Sequence, residues 1–248
     1  MDLSETTREV INRHPWELSR TQCTLKVFSK YIAGFNGQAV YINSGAGDLY
    51  FDKKLLEKYE KSQVHAIDIA YKDKISDDKR IHKYHFLEEM KEEWADYAVM
   101  MDSLEYMEDD AGYIRDMVRK IKKGGYFFFT LPAFPILFSD YDINIKNLRR
   151  YSRKSFSEVL DKVTGLQKVE EHYFYSSLFM IRFVQKMLHL SIDPEHKFTA
   201  NWNYAEEHFV TRFLTVCLNL DFLFNRLFSK IGIRFPGLSM LVICKKTG

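Results

Sequence analysis

The sequence predicts an open α/β fold: a doubly wound, seven-stranded, mostly parallel sheet with an antiparallel last strand and a helical insertion. Three observations carry this. Short apolar runs at residues 40–42, 64–67, 97–101 and 126–131 alternate with stretches of helical periodicity. The first run stops at Asn43-Ser44-Gly45-Ala46-Gly47-Asp48, a glycine turn between a strand and a helix. Two later runs end in the carboxylates Asp68 and Asp102, at the strand ends where open sheets gather ligand groups.

The elements follow in order. Pro15 suits the first turn of a helix. Apolar spacing at Leu25, Phe28, Tyr31 and Ile32 continues a leading helix, ended by Gly34 and Gly37, so residues 1–37 read as an N-terminal helical segment. After the glycine turn, Leu49, Phe51, Leu55, Leu56 and Tyr59 lie on one side of a helix. A second strand ends at Asp68, residues 72–79 form a charged loop, and a third strand at 81–86 ends beside Tyr84-His85. The fourth strand runs to Asp102. An acidic N-cap at about Asp109 starts a helix through Ile114, Met117, Val118 and Ile121, with Lys120, Lys122 and Lys123 on its C-terminal dipole and Gly124-Gly125 as its stop. The fifth strand, 126–131, is apolar throughout, as expected when both faces are buried.

Residues 133–153 are a long loop after a central strand, which signals function or local structure. A helix at 154–163, a strand at 166–175 and a last strand at 239–244 complete the sheet. Between those strands lies an insertion, 177–237, with two helical patterns. The second has an apolar stripe that includes Phe209, Phe213, Leu220, Leu223 and Leu227, so it is expected to cover something. The 248 residues read as a single domain, with 177–237 as a helical cap.

Composition narrows the function classes. Hydrophobic residues make up 46% and charged residues 28%, a globular balance. A net charge of +2 gives no footing for a nucleic-acid partner. Cys23, Cys217 and Cys244 are far apart and no C-x-x-C occurs, so reduced thiols in a cytoplasmic protein and no metal site are expected. The start MDLSETTREV is acidic and polar, so no signal peptide is expected, and no run of 18 apolar residues predicts a spanning helix.

The glycine turn decides the ligand. Tyr50 stands where a dinucleotide fingerprint has its third glycine, and no phosphate loop is present. Asp48 at the helix start would repel a phosphate and suits a ligand with a positive group. Asp68, one strand later, suits ribose hydroxyls. Adenosine without a pyrophosphate fits both, which makes S-adenosylmethionine (SAM) the candidate. The bland alternatives are an ordinary turn and a solvated strand-end carboxylate.

With these residues in place, the chain resembles the class I SAM-dependent methyltransferases, most closely the bacterial small-molecule type. The family's D-x-G-x-G turn matches Asn43-Ser44-Gly45-Ala46-Gly47, and its ribose acid matches Asp68. Its D-x-L-E-H segment matches Asp102-Ser103-Leu104-Glu105-Tyr106, and its K-P-G-G unit matches Lys122-Lys123-Gly124-Gly125. A subset shares H-P-W-E, here His14-Pro15-Trp16-Glu17. It also shares P-A-F-P…D…R-R-Y-[ST]-R, here Pro132 to Pro135, Asp142, Arg149, Arg150, Tyr151 and Arg153. The matches cover residues 38–153, and the order of elements fits the whole chain.

The resemblance implies a Rossmann-like domain that holds SAM through Asn43, Gly45, Gly47, Asp68, His85, Asp102 and Ser103, with His85 near the adenine. It implies methyl transfer to a small, partly apolar acceptor, by O- or N-methylation. Catalytic candidates are Tyr106, His14 and Asp142; Tyr141, Arg149 and Arg150 are candidates for binding an anionic acceptor group. Their alternatives are a helix-start role for His14 and ion pairs of the arginines with Asp142 or Glu105. The chain departs from the family at Asn43, where an acid is usual, and at Tyr106, where a histidine is usual. These departures keep open a catalytically degenerate SAM-binding protein. A nicotinamide oxidoreductase is a further alternative, opposed by Tyr50. The insertion is expected to help line an apolar acceptor pocket, with a homodimer face or a membrane-surface contact as its other readings.

Overall fold

Pro15 fixes the backbone of a first helical turn, and α1 (Pro15–Ile32) runs from it without a break. The structure, a computed structural model, describes residues 12–32, 38–72, 75–188 and 202–248. The expected helix stop at Gly34 and Gly37 lies outside the described residues, as do residues 1–11 of the N-terminal segment.

Seven strands follow: β1 (Val40–Ser44), β2 (Gln63–Ile67), β3 (Ile81–Tyr84), β4 (Ala95–Met101), β5 (Ile121–Pro132), β6 (Leu166–Phe174) and β7 (Ser239–Lys246). Their order in the sheet is β3-β2-β1-β4-β5-β7-β6, and only β7 is antiparallel to its neighbours. The helices between them are α2 (Tyr50–Lys58), α3 (Asp110–Lys120), α4 (Asp140–Asn144), α5 (Arg153–Leu160), α6 (Ser176–Met187) and α7 (Phe209–Lys230).

Strand alternation sorts the core into two layers. Tyr41, Tyr97, Val99 and Phe128 pack with α1 and α2 on one face. Ile42, Ala98, Met100, Phe127 and Phe129 pack with α3 and α5 on the other. Chain direction across the sheet reverses between β1 and β4, so a crevice opens at their carboxyl ends.

The predicted sheet stands, with local differences. The helix after Asp109 ends at Lys120, because Ile121 is already extended and paired with Ala95. Lys122-Lys123-Gly124-Gly125 is therefore the irregular start of β5, beside a register shift between Ala95 and Tyr97, and not a helix stop. Asp109 does cap α3, accepting from the Gly112 N–H at 2.8 Å. The long loop holds a short 3-10 turn, α4, and a single bridge between Ala133 and Tyr151.

The insertion divides. α6 lies against the turn after β5, with Phe179 4.9 Å from Phe134 and Lys186 Nζ donating to the Phe138 carbonyl at 2.8 Å. α7 lies along α1 and β6. Its buried face is Thr211, Thr215, Leu218, Phe222 and Asn225, while the apolar stripe expected to cover something faces outward. Among the described residues no helix is long and apolar enough to cross a membrane.

Candidate active site

The site begins at the end of β1. Gly45 and Gly47 have φ of 74° and 57°, a region that side chains with a Cβ disfavour. The Gly45 N–H donates to the Ile67 carbonyl at 2.9 Å, tying the turn to β2. Ser103 Oγ donates to the Ser44 carbonyl at 2.8 Å and draws the segment after β4 over the turn. A Cβ on Gly45 would overlap the Ser103 side chain, so glycine is required there twice over. Asp68 holds the turn from the far side: Oδ2 accepts from the Gly47 N–H at 3.0 Å and Oδ1 from the Ala70 N–H at 2.9 Å. An ionised carboxylate has about four acceptor sites, so these two bonds leave it capacity for a ligand.

Over this turn lies an open cleft. It is lined by Asn43, Gly45, Ala46 and Asp48 of the turn, by Glu17 and Arg20 of α1, and by Arg13 just before that helix. Arg13 pairs with Asp48 and sits 3.8 Å over the Tyr50 ring. Arg20 pairs with Asp102 and sits 4.2 Å over the Trp16 ring. Glu17 stands between them, 3.6 Å from Arg13; its burial raises its pKa, and the two arginines oppose that rise. Three lining atoms are buried without a hydrogen bond: Glu17 Oε2, Arg20 Nε and Asn43 Oδ1. Buried polar atoms are rarely left so, and such exceptions mark places where a ligand can supply the partner.

Asn43 is tied to α2. Its Nδ2 donates to Asp52 Oδ1 at 2.9 Å. Asp52 is 1% exposed, and burial pushes its pKa up to about 7. A second buried acid, Glu105, lies near Asp102; burial first and that neighbour second hold its pKa well above the usual carboxylate range.

Of the residues expected from sequence, Asn43 and Gly45 line the cleft, and Gly47, Asp68, Asp102 and Ser103 brace it through the bonds above. Thr130 Oγ1 also donates to Asp102, at 3.3 Å. The others are placed elsewhere. His14 Nδ1 accepts from the Trp16 N–H at 3.1 Å and its ring meets Trp202 edge-on, so it serves the start of α1; burial lowers its pKa, consistent with a neutral acceptor. His85 Nε2 lies 2.8 Å from the Tyr71 carbonyl. Tyr106 closes a 3-10 turn, and Tyr141 on α4 lies under the Arg182 guanidinium.

Asp142 is not an open carboxylate. It is fully buried and accepts from Ser139 N–H at 3.0 Å, Ser139 Oγ at 3.2 Å, Asn147 Nδ2 at 3.2 Å and Arg150 Nε at 2.9 Å. Arg149 pairs with Asp110 at 3.0 Å and donates to the Glu108 carbonyl at 3.1 Å. The ion-pair alternative therefore describes both arginines, although Arg149 chooses Asp110. Among the described residues none of 177–237 lines the cleft.

Arg13, Glu17 and Arg20 are not among the site residues expected from sequence, although Glu17 stands in the H-P-W-E match. Glu17 and Arg20 are three residues apart on one face of α1, and Arg13 stands just before that helix.

No protein-family model matches the chain, and no curated protein matches it. Solved structures do. A candidate sarcosine dimethylglycine methyltransferase from Galdieria sulphuraria is 14% identical with a TM-score of 0.55, over 90% of this chain and 84% of that one. The cyclase SpnF is 13% identical with a TM-score of 0.54, over 97% and 85%. Phosphoethanolamine N-methyltransferase 2 of Haemonchus contortus, in complex with phosphomonomethylethanolamine and S-adenosylhomocysteine, is 13% identical with a TM-score of 0.52, over 90% of this chain and 52% of that one. At such identities the likeness is one of fold: the sheet is that of the class I SAM-dependent methyltransferases.

Proposed function

We propose that the chain is a SAM-dependent methyltransferase acting on a small, partly apolar acceptor in the cytoplasm, by O- or N-methylation. One observation carries the reading. The three lining atoms without a hydrogen bond, Glu17 Oε2, Asn43 Oδ1 and Arg20 Nε, are two acceptors and one donor, and Glu17 Oε2 has only the Arg13 guanidinium, 3.6 Å away, as an ion partner. The methionine end of SAM presents an ammonium and a carboxylate, which need acceptors and a donor respectively. Glu17 and Asn43 would hold the ammonium, and Arg20 the carboxylate. The open backbone at Gly45 and Ala46 would pass the chain of the ligand, and the remaining lone pairs of Asp68 would meet the ribose.

SAM, when bound, supplies a methyl group on a sulfonium, already a good electrophile. The chain's own residues then have mainly to position and to exclude water, and good alignment is worth roughly 7–11 kcal/mol. α6 and the segment after β5 stand at the carboxyl edge of the sheet, which supports a cap of 177–237 beside the acceptor mouth. One of the structural neighbours named above is named an N-methyltransferase, which supports nitrogen as an acceptor atom. Another is a cyclase, so the fold alone does not fix the reaction.

A second reading, a SAM-binding protein without transfer, is favoured by Asp142. A protonated acceptor needs a base, and this candidate is fully engaged by four donors. Calorimetry with SAM, S-adenosylhomocysteine and NADH tests the cofactor; binding of the first two and not the third is expected. Absence of SAM binding overturns both readings. Transfer of label from methyl-labelled SAM to an acceptor library separates them.

A further inference from the structure

We propose that the outward face of α7 is a dimer seam that packs antiparallel against α7 of a second copy of this chain. Phe209, Phe213, Val216, Leu220, Leu223 and Leu227 alternate at spacings of four and three. All six are between 47% and 76% exposed. The opposite face, Thr211, Thr215, Leu218, Phe222 and Asn225, is the one buried against the rest of the chain. A narrow apolar stripe of this period is the signature of a helix that meets another helix. It runs the length of a 22-residue helix, about 33 Å at 1.5 Å per residue.

Charge selects the occupant. A helix that lies in a lipid interface offers a polar face rich in lysine and arginine to the headgroups. The face of α7 opposite its stripe is uncharged and turned into the protein. The one acid of α7, Asp221, lies beside that face and is taken up by the Ser176 and Ser177 N–H groups at the start of α6. Arg226 is held by Glu170 at 2.8 Å.

The stripe is instead complementary to itself. In one antiparallel register Phe209 faces the partner's Leu227, Phe213 the partner's Leu223 and Val216 the partner's Leu220, so every seam residue finds a partner. The same register brings the turn before α7, with exposed Glu206, to the end of the partner's α7, where Lys230 is exposed, so opposite charges meet at both ends of the pair. A parallel pair would bring like charges together at each end. Self-complementarity about one point is what a two-fold interface requires.

Light scattering on the full chain at micromolar concentration should give twice the chain mass of 29.5 kDa. Leu220→Glu should return the mass to that of one chain with an unchanged far-ultraviolet spectrum, because Leu220 is 59% exposed and outside the buried face of α7. In a Cys217→Ser background, Val216→Cys and Leu220→Cys proteins should form a disulfide-linked dimer when mixed and far less of one when oxidised apart. A single-chain mass for the parent protein, a dimer indifferent to Leu220→Glu, or equal cross-linking of Val216→Cys alone would each overturn the seam. So would co-sedimentation with phosphatidylglycerol vesicles that Leu220→Glu abolishes, which would give the face to a lipid surface.

Discussion

Asn43 donates from Nδ2 to Oδ1 of Asp52 at 2.9 Å, so the turn after β1 and the helix behind it share one carboxylate between them. Placing an acid at 43 would bring two carboxylates to that distance, where they cannot both ionise at ordinary cost. Asn43→Asp should therefore lower the melting temperature at neutral pH and weaken S-adenosylhomocysteine. The exchange Asn43→Asp with Asp52→Asn restores an acid–amide pair in reversed order and should recover both. Thermal melts and calorimetry on the two proteins check this; a single variant as stable as its parent would show the pair to be uncoupled.

The same acid makes stability depend on pH. Burial raises the Asp52 pKa from 3.8 to about 7 in the native state. Between those values the folded chain holds a proton that the unfolded chain releases, so stability falls as pH rises through the window. Asp52→Asn removes that loss. Its melting temperature should match the parent's at the acid end and exceed it at the alkaline end. Glu105, raised in the same sense, leaves the variant a residual slope.

What the sequence made legible follows from what backbone geometry demands. Gly45 and Gly47 stand where φ is positive, and Asp68 and Ser103 brace that turn from strand ends, so a strand–glycine–acid pattern located them. The residues that α1 brings to the cleft were hidden because that helix reaches it only in three dimensions. Nothing local says that Arg13 and the face of α1 bearing Glu17 and Arg20 turn toward β1 and β4. Asp142 misled for a related reason: its carboxylate is saturated by Ser139, Asn147 and Arg150, partners that the loop gathers only once folded. The α7 stripe was visible as a period, but a period does not reveal whether its apolar side meets the chain's own core or something beyond it.

Asp68 should matter for the turn before any ligand arrives. Asp68→Ala removes two backbone hydrogen bonds to a charged group, each worth about 1.5–3 kcal/mol. Loss of denaturation free energy in the ligand-free protein, together with weaker S-adenosylhomocysteine, is the expected pair of results. If the ligand-free stability were unchanged, the carboxylate would not be the clamp described.

Asp142 should behave as an anchor. Arg150→Met leaves a fully buried carboxylate without its ion partner, a loss of about 3–5 kcal/mol. Urea denaturation should report it, while S-adenosylhomocysteine affinity stays near the parent's, because neither residue lines the cleft. A large fall in cofactor affinity without a fall in stability would place the pair in the binding site instead.

Arg20 has one partner within the protein, Asp102, to separate from the proposed second, the carboxylate of SAM. Arg20→Met alone would strand Asp102 in a buried position, so lost stability would mask any lost contact with ligand. Arg20→Met with Asp102→Asn removes both charges and should recover most of the stability. It cannot recover the donor at Nε, which is unpartnered within the chain. A hydrogen bond between charged groups is worth about 1.5–3 kcal/mol, so S-adenosylhomocysteine should bind the double variant roughly ten- to a hundredfold more weakly. Decarboxylated SAM has no carboxylate for Arg20 to meet, so parent and double variant should bind it alike. Equal weakening of both ligands would mean that the double variant has damaged the cleft generally, and undiminished binding of both would remove Arg20 from cofactor recognition.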